Sequence, residues 1–293
     1  AKKTYTEVLG LSQPIRSTNY EKGRYREHSL IIDDVLLELL QPLDGPEAPG
    51  PGGGMARFLQ RKGEGLYLIT VGMDDPEAYS KRLESRGVKV YWDVPDQGLV
   101  GTGLQKPTRP AVAHPVHPLI HPRHTHGVLW ELGRFIPGEK REKAPKDNAF
   151  KKVKTISIMC HDIDKALKTY TELLELEPPV RSTVYEKGRY REHTLKIGED
   201  VALELLQPLD GPEAPGPGGG MARFLKHRGE GLYLITVDVD DPYTYATGLE
   251  AKGVKIYWDV PDQGQVAGGK DKPARTAQPG GDSRIPRRRA TRT

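Results

Sequence analysis

Three glutamates stand where strand patterning would ordinarily place apolar side chains. Val35–Leu43 reads VLLELLQPL and Val201–Leu209 reads VALELLQPL, so Glu38 and Glu204 have leucines on either side. Gly127–Leu132 (GVLWEL) places Glu131 in the same setting. Successive side chains on a strand point to opposite faces, so Glu38 shares its face with Leu36 and Leu40. An ionised carboxylate among such neighbours is strongly disfavoured unless a cation or hydrogen-bond donors compensate it. A carboxyl in that position has a raised pKa, which suits a general base. The other reading is a wet face, with the glutamates simply directed at solvent. From the residues alone both stand.

Histidines form the second group. His114, His117, His121, His124 and His126 fall within HPVHPLIHPRHTH, and imidazole is the commonest metal ligand. His124 and His126 would share a face if that stretch were extended, but its prolines and spacing predict a loop with solvated histidines. His28 and His193, each in YREH, read as hydrogen-bonded strand residues. GPGGGMAR, at 50–57 and 216–223, sets glycines before a short helix, where backbone N–H groups could receive an anion. It lacks both the P-loop ending and the dinucleotide-binding spacing, so a flexible loop is expected. Cys160 is the only cysteine; it allows no intrachain disulfide and reads as a buried strand residue.

Glu38 with Glu204, His28 with His193 and the glycine-rich segment recur because the chain contains itself twice. Leu37–Leu59 returns unchanged as Leu203–Leu225, and YEKGRYREH, EGLYLITV and YWDVPDQG each occur twice. The period exceeds the about 20–50 residues of solenoid and propeller units, so a whole domain is duplicated. A length of 293 residues fits two domains. Within each module the apolar periodicity alternates strand, amphipathic helix and three strands, twice over. The expected fold is α+β, as tandem modules of paired βαβββ units with curved mixed sheets. The first module spans 1–132 with its leading strand missing, a charged linker 133–151, and the second module 152–275 with its closing hairpin missing. A basic disordered tail at 276–293 follows. Its arginines lack interleaved aromatics, so nucleic acid is not an expected partner. No apolar run reaches about 18 residues and the N-terminus lacks signal-peptide order, so no membrane span and a cytoplasmic location are expected.

The words DIDKALKTYTELLEL (162–176), ELLQPL, MARFLKHRGEGLYLITVDVDDP (221–242) and IHPRHTHGVLWEL (120–132) resemble the vicinal oxygen chelate superfamily of glyoxalases, bleomycin resistance proteins and dioxygenases. Within it the methylmalonyl-CoA epimerases are most similar. The resemblance implies a divalent metal in a cup-shaped sheet and a carboxylate base that forms an enolate from a small carbonyl or acyl-thioester substrate. It implies Glu38 and Glu204 as metal ligands and Glu131 as ligand or catalytic base. The family's first-strand histidine falls on Thr155 and its fifth-strand histidine on Leu68 and Leu234, residues that would line the substrate pocket. Thr155, Glu204 and Glu131 would form a composite site if the central units paired. Two functions follow: a metal-assisted epimerase, isomerase or lyase, or a metal-free small-molecule binding protein on the same scaffold. Pairing with a second copy as a homodimer is compatible with either.

Overall fold

The alternating apolar runs become strands, and the computed structural model describes residues 1–21, 23–94, 98–100, 117–134, 143–260 and 264–266. The first module opens with a π-helical turn, Thr4–Val8, then β1 (Arg16–Tyr20), β2 (Tyr25–Ile32), β3 (Val35–Pro42) and α1 (Gly50–Lys62). It continues through β4 (Leu68–Met73), α2 (Pro76–Ser85), β5 (Val90–Val94), β6 (Gly98–Val100), β7 (His117–Ile120) and β8 (Leu129–Arg134). The second module holds β9 (Lys152–Met159), α3 (Ile163–Lys168), a π-helical turn Thr169–Leu173, β10 (Arg181–Tyr185), β11 (Tyr190–Lys196) and β12 (Ala202–Pro208). After these come α4 (Gly216–Arg228), β13 (Gly231–Asp238), α5 (Pro242–Ala251), β14 (Trp258–Val260) and β15 (Gly264–Val266). Asp162 and Asp241 cap α3 and α5 by accepting from backbone N–H groups of the first turn. His114, part of the interdomain linker and the basic tail lie outside the described residues.

The fold is α+β, in mixed sheets. β1-β2-β3 is antiparallel, β4-β8-β7-β5-β6 forms a second sheet, and β10-β11-β12-β9-β13 a third. β4 runs parallel to β8, and β9 parallel to β12. β9 and β12 open and close one βαβββ unit, and β4 and β8 open and close its counterpart, which carries the extra short strand β6. β13 lies antiparallel to β9 and ties the two units of the second module together. Among the described residues no helix is long and apolar enough to cross a membrane.

The glycine-rich segments are not flexible loops. They form the first turns of α1 and α4. A Cβ on Gly53 would come within 1.8 Å of the Ala48 carbonyl oxygen, and one on Gly219 within 1.7 Å of that of Ala214. The glycines allow a helix to press against its own incoming chain.

One core joins the last unit of the first module to the first unit of the second. Leu83, Val90, Trp92, Trp130 and Leu132 pack there with Ile158, Cys160, Ile163, Tyr170 and Leu203. Cys160 is buried and its thiol is pushed up to about 12 by burial, an inert position. Contacts between modules come in mirrored pairs. Tyr79 Oη donates to the Leu174 carbonyl at 2.7 Å, and Tyr245 Oη to that of Leu9 at 2.7 Å. Lys62 Nζ donates to the Glu230 carbonyl at 2.8 Å, and Arg228 Nη1 to that of Glu64 at 3.0 Å. With the repeat offset, each pair is one contact made twice, which is the isologous pattern of a two-fold dimer built within one chain. The linker's described end is docked as well: Asn148 accepts from Ser12 N and donates to the Ile31 carbonyl.

Gly53→Ala and Gly219→Ala should each destabilise by about 1–3 kcal/mol, the usual range for forced overpacking. Chemical denaturation of the two variants should show similar losses, because both copies have the same close approach.

Candidate functional site

Strand register decides which side chains meet. On β2 and β3, Ser29 lies opposite Glu38 and Glu27 opposite Leu40, so Glu27, Ser29 and Glu38 share a face. On the neighbouring sheet, Glu131 lies opposite both Thr70 and Leu119. His117 is two residues before Leu119 on β7 and therefore joins Glu131 on that face.

The charges on the two faces act on one another. His117 Nδ1 is 2.6 Å from Glu131 Oε1, and Thr70 Oγ1 donates to Glu131 Oε2 at 2.7 Å. Burial pushes Glu131 upward, but the hydrogen bond and charge of His117, with Thr70, hold it below the usual carboxylate range. Glu38 goes the other way, to about 7. Burial is the main cause, followed by the negative charges of Glu27 and Glu131, against which Arg16 and His117 act. Glu131 and His117 thus act on Glu38 through space, from a different sheet. Arg16 Nη2 is committed to Glu27, at 2.7 Å, and reaches Glu38 only at 3.7 Å. Glu27 is buried and also accepts from Ser29 Oγ at 2.6 Å.

The second module repeats half of this. Ser157 Oγ donates to Glu204 Oε2 at 2.7 Å, and burial raises Glu204 despite that bond. Arg181 pairs with Glu192, as Arg16 does with Glu27. Thr155 lies opposite Ala202 on β12 and Thr236 on β13, and its buried hydroxyl, on the same face as Ser157, acts on Glu204 and opposes the effect of burial there. Leu234 lies opposite Ser157, and Leu68 opposite Leu129. Glu131 is held by Thr70 and His117 of its own module, and the charges acting on Glu204 are those of Glu192 and Arg181. Thr155, Glu204 and Glu131 thus belong to two different environments, although the central units do share a core.

The donor chemistry does not fit a metal ion as expected. Glu131 has already engaged both oxygens, and among the described residues no three His, Cys, Asp or Glu side chains lie close enough to hold an ion together. His28 and His193 face away from Glu27 and Glu192 and bond Ser17 and Ser182. His117, which sequence reasoning set aside as a loop histidine, instead lies on β7 in contact with Glu131. Its signal was present in the short apolar run HPLI, whose alternation continues the strand.

The described concave sheets and their buried carboxylates define a class, and comparison with known proteins agrees. Residues 1–105 and 155–271 each match the Glyoxalase/Bleomycin resistance protein/Dioxygenase superfamily. The chain belongs to that superfamily and carries two of its domains. It is similar in fold to a mutant 4-hydroxymandelate synthase from Streptomyces coelicolor, at 18% identity and TM-score 0.59, over 88% of this chain and 72% of that one. Methylmalonyl-CoA epimerase from Mycobacterium tuberculosis matches at 24% identity and TM-score 0.32, over 36% of this chain and 67% of that one. A hypothetical protein from Bacillus halodurans matches at 26% identity and TM-score 0.33, over 40% of this chain and 81% of that one. No curated protein matches.

Glu38 makes stability depend on pH. Between its ordinary value of 4.5 and about 7 the folded chain keeps a proton that the unfolded chain releases. Stability contributed by this group therefore falls as pH rises through that window, by about 3 kcal/mol at most. Glu38→Gln should raise the thermal midpoint at pH 8 and change it little at pH 4, measured by calorimetry.

Proposed function

We propose that the cup of the first module abstracts a proton next to the carbonyl of a small ketone or acyl thioester, in an epimerase-, isomerase- or lyase-type reaction. The observation that supports this most is the carboxyl of Glu38, raised to about 7 by burial and by neighbouring carboxylates. A base with a pKa close to ambient pH combines proton affinity with a substantial ionised population. In this reading Glu38 takes the proton. Glu131 orients His117 through their 2.6 Å contact, and the field of that imidazole, which already acts on Glu38, favours the enolate charge as it develops. Arg16, tied to Glu27, keeps that second carboxylate from raising Glu38 still further. No step is assigned to a metal, because the described donors do not form a set for one.

The second reading is a binding protein without chemistry, and a specific observation favours it. Leucine occupies the strand positions Leu68 and Leu234, where an apolar ligand wall would need it. Catalysis and binding part company in solvent exchange. Incubation in deuterated buffer with a panel of small acyl thioesters and ketones should show exchange of the activated hydrogen by NMR, with a rate rising through pH 7. Glu38→Gln should slow it by at least about 100-fold, the usual contribution of a positioned base. Ligand-induced shifts without exchange would favour the binding protein. Metal analysis of untagged protein should find no stoichiometric divalent ion; one that is present and lost on Glu131→Ala would return the site to metal-assisted chemistry.

A further inference from the structure

A second group of reactive side chains lies away from the cups, where the modules meet. A cleft of about 500 Å³ is lined there by Arg123, His126, Lys165, Thr169 and Glu230, among others. His126 comes from the turn before β8, Thr169 from the π-helical turn after α3, and Glu230 from the residue before β13. His126 is buried, 9% exposed, and has φ 52°, an uncommon backbone state for a residue with a Cβ. Gly127 follows it so closely on the second module that a Cβ there would come within 2.0 Å of the Glu230 carbonyl oxygen. The seam therefore fixes the imidazole from both sides.

The three polar groups stand in line. Glu230 Oε2 is 3.0 Å from His126 Nδ1, and His126 Nε2 is 3.2 Å from Thr169 Oγ1. The other oxygen of Glu230 accepts from His161 N at 2.8 Å. Burial raises Glu230, but the bonds from His126 and His161 bring it below the usual range, so it is ionised. An ionised carboxylate on Nδ1 draws the proton to that nitrogen and leaves Nε2 free to accept from the threonine hydroxyl. That hydroxyl also lies 3.1 Å from the Lys165 carbonyl, so its proton has two acceptors between which it can turn. Hydroxyl and base within hydrogen-bond reach, with the base oriented by a third group, is the arrangement that activates a nucleophile. Arg123 and Lys165 add positive charge to the walls.

We propose that this seam is a separate esterase centre acting on small acyl esters, with Thr169 as nucleophile, His126 as general base and Glu230 as positioning residue. Thr169 Oγ bonds to the acyl carbon as its proton passes to His126 Nε2. The ester carbon–oxygen bond breaks, and the leaving alkoxide takes that proton. Water, deprotonated by His126, then attacks the acyl-threonine, releasing a carboxylic acid and restoring the hydroxyl. The repeat supplies an internal control: Thr4 occupies the position equivalent to Thr169, and the imidazole contact of Thr169 has no counterpart at Thr4 among the described residues.

The test uses p-nitrophenyl acetate with the full chain, following nitrophenolate release and mapping the acetyl adduct by mass spectrometry of acid-quenched protein. The adduct should lie on Thr169. Thr169→Ala and His126→Gln should each lower the rate by at least about 100-fold, Thr169→Ser should retain acylation, and Thr4→Ala should match wild type. Glu230→Gln should shift the pH profile as well as lower the rate, which a purely structural role would not do. A wild-type rate no higher than buffer, an adduct elsewhere, or an unaltered rate in Thr169→Ala would overturn the proposal. Should Thr169→Ala fail to fold, the adduct map of wild type and Thr169→Ser decides alone.

Discussion

Burying acidic groups on the concave face of a sheet is the constraint around which this structure is arranged. Each carboxylate withdrawn from water must gain a partner or keep its proton. Four glutamates solve the problem differently. Glu27 and Glu192 take an arginine each. Glu131 takes an imidazole and a hydroxyl. Glu38 has a distant arginine and a distant imidazole against burial and two carboxylate neighbours, so it retains its proton toward neutrality. The proposed base is the group left least compensated, and its neighbours leave it so by using up the nearest cations.

Duplication shapes the rest. Two copies of a module pack through mirrored contacts, in which a tyrosine hydroxyl and a basic side chain from one copy cap backbone carbonyls of the other. Such an interface is self-complementary by construction. It also frees the copies to diverge where they are not in mutual contact. Glu131 and His117 belong to one cup alone, and Ser157 serves Glu204 in the other. The seam is unequal as well, because His126 lies in a segment of the first module that the second does not repeat.

The same division separates what was legible in the sequence from what was not. The repeat, the βαβββ order and the aspartate caps follow from local patterns with a period of 2 or 3.6, and these the chain states openly. The strand glutamates were legible as anomalies, since a charge inside VLLELLQPL has no local explanation. The glycine-rich segment misled because glycine signals flexibility by default, whereas Gly53 and Gly219 are required by a carbonyl packed against the helix. His117 was obscured by surrounding prolines.

The amino-acid order by itself determined the modules, their strands and the presence of acids on apolar faces, because each depends on neighbours along the chain. Only the tertiary structure decided which acid keeps its proton, and that His117 rather than another histidine reaches Glu131. It alone brought His126, Thr169 and Glu230 together from two modules. Those outcomes depend on distances between residues far apart in sequence, and on how much water the folded chain leaves between them.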